Sequence, residues 1–384
     1  MKHSRPIKIL HVVGAMNRAG TETMLMNIYR NIDREKIQFD FISYSGQEAD
    51  YDQEIKTLGG KVIRLSKTAS VKALYEVMTK YGPYEAVHAH TLFHSGIANM
   101  AARLAGVKIR IAHAHTTSDI DDSIVRKMYI GLMRFLIRKF STKLLACSNG
   151  AGSYLFGRKG IAKANYSYFP NAIDYRKYLN PSLTDVKKFS AEEGLGNSIV
   201  IGHIGRFIKA KNHIFLLEII KCLIKKDPAI KLLLVGDGDL RLQMEEKAKR
   251  EGIYENIKFA GLKKDIVSAM HSMDVFVFPS HYEGLGLVLL EAQASGIPCV
   301  VSEAIQPEAD VGIGLVTKLP LADGAEVWAN QLLESVSLKE KNSNKIITAF
   351  EQSGYSLNDG ISALMTIYQT NTGGAYERNT DSLL

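Results

Sequence analysis

The chain is poor in cysteine. Cys147, Cys222 and Cys299 are odd in number, far apart, and form no CxxC pair. That excludes a disulfide framework and points to a reducing compartment. Long apolar runs are missing too. No stretch approaches the roughly 18 apolar residues of a membrane-spanning helix. The start, MKHSRPIKILHVVGAM, is basic and partly apolar, but Lys8 and His11 interrupt the run and no small-residue cleavage site follows. It reads as a first strand, not a signal peptide. There is no zinc-finger pattern, no RNP-like aromatic segment and no dense Lys/Arg run, so nucleic acid is not an expected partner. No G-x-G-x-x-G follows the first strand, which disfavours a dinucleotide-dependent dehydrogenase. Internal repeats and low-complexity segments are absent.

What is present is a 384-residue chain, 46% hydrophobic and 23% charged, with a net charge of +8. This length suits two domains of about 150–190 residues each. The charge suits an acidic partner, and nucleotide sugars and anionic membrane surfaces both qualify. Strand-like segments at 7–13, 39–43, 61–65, 86–90, 109–115, 143–148 and 166–169 alternate with helix-like ones near 21–31, 70–81, 95–105, 123–140 and 150–158. A polar, turn-rich stretch at 169–189 then reads as an interdomain linker. Alternation resumes with strands at 198–204, 231–235, 257–260, 274–278 and 299–302. Helices are expected near 212–226, 239–251, 264–272, 286–295, 323–336 and 338–352, with a last amphipathic one at 356–370. The pattern predicts an α/β fold of two doubly wound, Rossmann-like parallel-sheet domains that bind ligands at the carboxyl ends of their strands. The expected boundaries are 1–180 and 181–355.

The most telling stretch is PSHYEGLGLVLLEAQASGIPC, residues 279–299. A buried strand ends at Pro279, and a helix starts after Gly286 and stops at Gly296-Ile297-Pro298. Glu283 therefore lies on the loop and Glu291 inside the helix. Between them, the amides near Gly286 and Leu287 can bind an anion, because a helix start has unpaired N–H groups and partial positive charge. A diphosphate between two hydroxyl-bearing sugars would use all three features. A second basic feature is HIGRFIKAKNH, residues 203–213. Gly205 lets the backbone turn off a strand end, and Arg206 and Lys211 can lean over that end toward phosphate.

Glu283 and Glu291 in this context resemble the E-x7-E signature of the family-4 retaining glycosyltransferases, with their GT-B fold. The wording EAQASGIPCVVS is most similar to bacterial capsule and exopolysaccharide enzymes. The resemblance runs from the first turn to the last helix and includes PNAID, similar to the family's PNGVD linker, with Ala172 in place of Gly. It implies an active site in the cleft between the two domains and a final segment, 356–384, crossing back to the first. It implies that Glu283 faces the donor hexose, that Glu291 holds the ribose, and that Arg206 and Lys211 take the diphosphate. It also implies that Gly20, in a turn where the family has Gly-Gly and this chain has Ala19-Gly20, lies near the donor. LVGDG, residues 234–238, would line the nucleotide base; its dinucleotide-loop pattern fails at Arg241. One histidine of IAHAH would touch the hexose: His115 is the choice and His113 the alternative.

The expected catalytic set is thus Glu283, His115, Arg206 and Lys211. The donor set is Gly20, Arg206, Lys211, Glu283, Gly286, Leu287 and Glu291. The H-x-H pairs His88/His90 and His113/His115 each present two imidazoles on one strand face, but no carboxylate or Cys completes a metal set, so no metal and no cofactor are expected. For 126–143, rich in both basic and apolar residues, the expectation is an apolar stripe packed on the sheet with Lys/Arg outside; lipid contact stays open. The resemblance implies a nucleotide-sugar donor, UDP-linked, a saccharide or polyprenyl-diphosphate-linked acceptor, and a cytoplasmic enzyme at the inner membrane face among other polysaccharide-assembly enzymes. A UDP-sugar epimerase of the same architecture and a non-catalytic sugar-nucleotide binder remain as alternatives.

Overall fold

The computed structural model describes residues 5–118 and 123–369. Two parallel sheets organise them. The first contains β1 Ile7–Val13, β2 Ile37–Ser43, β3 Val62–Arg64, β4 Ala86–Ala89, β5 Ile109–Ala114, β6 Lys143–Ala146 and β7 Tyr166–Tyr168, in the order β3-β2-β1-β4-β5-β6-β7. The second contains β8 Val200–Ile204, β9 Lys231–Val235, β10 Ile257–Gly261, β11 Val275–Phe278, β12 Cys299–Ser302 and β13 Val316–Leu319, in the order β10-β9-β8-β11-β12-β13. Both orders reverse once, between β1 and β4 and between β8 and β11. Such a reversal opens a crevice at the strand ends, where doubly wound sheets take ligands.

The strands form where apolar residues run together, because helices cover both faces of a parallel sheet. β4, β11 and β12 are buried along their whole length. β13 was not expected from sequence. It is a four-residue edge strand, VTKL, with no fully buried residue and hence no apolar run to reveal it.

One compact unit runs to Ala172 and resumes at Tyr355; the other is Ile173–Gly354. The junction falls earlier than 180/181 because the supposed linker is structured. It contains the helices Arg176–Leu179 and Leu183–Glu192, the second capped by the Ser182 hydroxyl accepting from the Asp185 amide. Tyr175 stacks on Phe350 at 4.9 Å, and His271 Nε2 bonds the Tyr178 carbonyl at 2.7 Å, both within the second unit. The polar residues that suggested a linker are the solvated faces of these short helices.

The last helix, Leu357–Gln369, belongs to the first unit. It fits there through a size exchange. Ala172 stands where a glycine was expected, and Gly360 faces it: a Cβ on Gly360 would lie 2.5 Å from that of Ala172. Tyr368 then bonds His88 Nδ1 at 2.8 Å. The remainder of the expected 356–384 segment, residues 370–384, lies outside the described residues.

One expectation is reversed. In the helix Ile124–Phe140, only Met133 and Ile137 are buried, and the apolar stripe points to solvent.

Candidate functional site

In the second unit, the sheet reversal sets the loop after β8 beside the loop after β11. Lys211, at the end of the first loop, bonds Glu283, in the second, with Nζ 2.6 Å from Oε1. Both side chains are mostly buried, at 15% and 13% exposure. The Lys211 ammonium also stands 4.5 Å from the centre of the Phe278 ring, at the end of β11. Sequence reasoning gave Lys211 and Glu283 separate ligands; the fold makes them one ion pair held over an aromatic face. Arg206 is exposed on the same loop; its carbonyl accepts from the Ile208 amide at 2.8 Å, and its side chain makes no hydrogen bond or ion pair among the described residues.

Gly286 begins the helix Leu287–Ala294 in the left-handed region, at φ 89°. As a glycine it supplies no capping side chain of its own. A Cβ at Gly286 would also come within 3.0 Å of the Phe278 ring. Glu291 lies on the second turn. Burial raises its carboxyl above the ordinary range, opposed by a hydrogen bond from the Tyr178 hydroxyl and by nearby Lys177. Tyr178 was not anticipated. It sits in a segment that composition alone marks as linker, and nothing in its spacing points to Glu291.

Gly236 and Gly238, after β9, have a structural reason unrelated to a dinucleotide. A Cβ on Gly236 would stand 2.1 Å from the Gly205 carbonyl oxygen, and one on Gly238 2.8 Å from that of Phe207. Phe207 and Gly205 amides bond Asp237 and Val235 carbonyls at 3.0 and 2.9 Å. These glycines let one loop lie directly on the other and so fix where Arg206 emerges. Gly236→Ala is expected to cost about 1–3 kcal/mol through overlap and its φ of 141°. Chemical denaturation would read this as a lowered midpoint, and an unchanged midpoint would refute the close approach.

In the first unit, Gly20 opens the helix Gly20–Asn31 after β1, with Ala19 as an N-cap whose side chain accepts no capping hydrogen bond. Across β1, β4 and β5 the imidazoles form two lines. His11 Nδ1 meets His90 Nε2 at 3.1 Å, and His90 Nδ1 meets His115 Nε2 at 2.9 Å. His88 joins Tyr368 on one side and His113 Nδ1, at 3.2 Å, on the other. Register explains this: His11 is level with His88, and H-x-H spacing keeps each pair on one face. Burial pushes the His11 and His115 imidazoles down to about 3, and holds His88, His90 and His113 far below the usual histidine range. They are neutral at physiological pH. His115 is partly accessible and His113 fully buried. Two trios, His11/His88/His90 and His90/His113/His115, have nitrogens close enough to gather round an ion. In the described state, however, several of those nitrogens are spent on one another.

Lys211, Glu283, Gly286, Leu287 and Glu291 are thus collected with Arg206 in the second unit; Gly20 and His115 belong to the first. Two doubly wound sheets and a final helix returning to the first of them define the GT-B fold. Residues 18–177 match Glycosyltransferase Family 4, and residues 185–353 match Glycosyl transferases group 1. EpsF of Bacillus subtilis (strain 168), named as a glycosyltransferase, is 37% identical over 97% of this chain and 98% of its own. The capsular polysaccharide biosynthesis glycosyltransferase CapH of Staphylococcus aureus is 28% identical over 95% of this chain and 99% of its own. Among solved structures, HepE of Anabaena, in complex with UDP and glucose, superposes with a TM-score of 0.77 at 19% identity, over 95% of this chain and all of that one. The chain belongs to the family-4 glycosyltransferases.

Proposed function

We propose that this glycosyltransferase moves a hexosyl group from a UDP-sugar to a saccharide or polyprenyl-diphosphate-linked acceptor, with retention at the anomeric carbon. The process would be bacterial exopolysaccharide assembly, as biofilm matrix or capsule, on the cytoplasmic side of the membrane. The observation that carries this reading is the Lys211–Glu283 pair at the sheet reversal, next to the start of the helix Leu287–Ala294, whose N-cap is the side-chain-free Gly286. A diphosphate arriving there would meet Arg206, Lys211 and the amides near Gly286 and Leu287. Glu283, relieved of Lys211, would accept hydroxyls of the hexose. Glu291 would hold the ribose. As the sugar–phosphate bond breaks, negative charge grows on the leaving oxygen, and these cations and amides stabilise it without a metal. The departing diphosphate takes the acceptor proton on the same face. His115, a neutral imidazole, is the proposed hydrogen-bond donor or acceptor for the hexose. The names of CapH and HepE, which carry capsular polysaccharide and UDP, support the process and the donor.

The test is incubation with UDP-, GDP- and ADP-sugars in excess EDTA, with and without saccharide acceptors. UDP release that needs an acceptor supports the reading. Interconversion of free UDP-sugars without acceptor would replace it with an epimerase, and binding without turnover on any acceptor with a non-catalytic role. Turnover lost in EDTA and restored by a divalent ion would overturn metal independence. Within the same reading, Arg206→Ala should weaken UDP by about tenfold or more, the worth of a charge-assisted contact of roughly 1.5–3 kcal/mol. Calorimetry showing parental affinity would return Arg206 to a solvated loop.

A further inference from the structure

The helix Ile124–Phe140 is built inside out. Its guanidinium groups turn toward the first unit. Arg134 donates to the Tyr154 carbonyl, Arg138 to the Phe156 carbonyl at 3.2 Å, and Arg126 lies 5.5 Å from the Phe93 ring centre. The carbonyls belong to the last turns of the helix Asn149–Phe156, where partial negative charge favours cations. Met133 and Ile137 bury beside them, and Gly96 admits the helix backbone: a Cβ there would stand 3.0 Å from the Ile137 amide nitrogen.

The outer face carries the apolar residues. Ile124, Met128, Leu132 and Phe135 are 78%, 73%, 55% and 50% exposed. Their spacing of four, four and three places them in one stripe about 17 Å long. Single exposed apolar residues need no explanation, but a contiguous stripe marks a docking face. Here polar side chains were available on the same helix and point the other way.

Charge identifies the occupant. After Asp122, the residues Ser123–Ile173 include nine Lys/Arg and no Asp/Glu. Lys127 and Lys139 are exposed on the helix itself. Arg158 and Lys159 are exposed on the neighbouring turn, and Lys163 bonds the Arg138 carbonyl at 3.0 Å. A second copy of this face would meet it with like charge. An apolar stripe with a cationic rim fits a surface that is apolar within and anionic outside, which is an acidic lipid bilayer.

We propose that this helix seats the first unit on anionic membrane surfaces, with Ile124, Met128, Leu132 and Phe135 in the acyl boundary and Lys127, Lys139, Arg158 and Lys159 against the lipid phosphates. The proposal stands apart from the donor chemistry, and its test does not measure turnover. The full chain is sedimented with vesicles of phosphatidylcholine, with and without phosphatidylglycerol. Binding should require phosphatidylglycerol and weaken with salt. Leu132→Asp/Phe135→Asp and Lys127→Glu/Lys139→Glu should each lower vesicle affinity about tenfold or more. Neither should alter the melting temperature, since all four side chains are exposed. Three results overturn the proposal: no binding to acidic vesicles; parental binding by Leu132→Asp/Phe135→Asp; or a dimer of the parent chain that this double variant dissolves, which would make the stripe a self-association face.

Discussion

Acidification from about pH 7.5 to about pH 5.5 should destabilise the first unit by several kcal/mol and melt it before the second. The cause is the two lines of imidazoles. In the unfolded chain His11, His88, His90, His113 and His115 titrate near the ordinary histidine value of about 6.5. In the folded chain they do not, since burial holds His11 and His115 down to about 3 and the other three well below their usual range. Between these values the unfolded state binds more protons, so stability rises with pH. It is complete above about pH 7 and is lost as pH falls from about 6.5 toward about 3. One unit below 6.5, each such histidine contributes roughly 1.4 kcal/mol to the loss. The second unit has fewer: burial pushes His203 down to about 3 and His213 down to about 2, and lowers His271. Amide hydrogen exchange followed against pH would show protection lost first in β1, β4 and β5. A melting temperature flat across this range, or loss beginning in β8 and β11, would contradict the buried neutral array.

Those histidines also show what sequence makes legible. H-x-H twice, on segments already read as strands, predicts two imidazoles per face. It cannot predict that β4 lies between β1 and β5, which is what joins the pairs to His11. Nor can it supply Tyr368, which arrives from the far end of the chain. The strands themselves were legible because apolar runs of five to seven residues in buried parallel sheets have few other uses. β13 and the helices at 176–192 were not, because their signal is a partly solvated face. The helix Ile124–Phe140 was legible as a helix and misread in orientation. Composition reports an amphipathic helix, but which face meets the protein depends on carbonyls such as those of Tyr154 and Phe156, which no local pattern displays. The proposed donor site was legible as residue types at plausible spacing. The direct bond between Lys211 and Glu283 was not, since it depends on β8 and β11 being neighbours.

That bond sharpens what the two carboxylates should do. Under the proposed reading, Glu283→Ala should lower turnover about a hundredfold or more while leaving UDP affinity intact or tighter. Glu283 would touch only the hexose, near the carbon that gains positive character as the bond to phosphate breaks, and loss of such a stabiliser appears chiefly in turnover. UDP carries no hexose, and the substitution removes the carboxylate that now holds the Lys211 ammonium at 2.6 Å. Glu291→Ala should behave in the opposite way. It would contact the ribose, which UDP and the UDP-sugar share, so both should weaken together, by roughly 1–3 kcal/mol, with a smaller change in turnover at saturation. Tyr178→Phe separates ribose contact from positioning. It keeps Glu291 and removes the hydroxyl that opposes its raised proton affinity, so UDP binding should become more dependent on pH, improving as pH rises and Glu291 ionises. The measurements are UDP affinity by calorimetry and turnover at saturating donor, for each variant, over a range of pH. Matching losses in Glu283→Ala and Glu291→Ala, or full turnover in Glu283→Ala, would remove the division of roles between hexose and ribose.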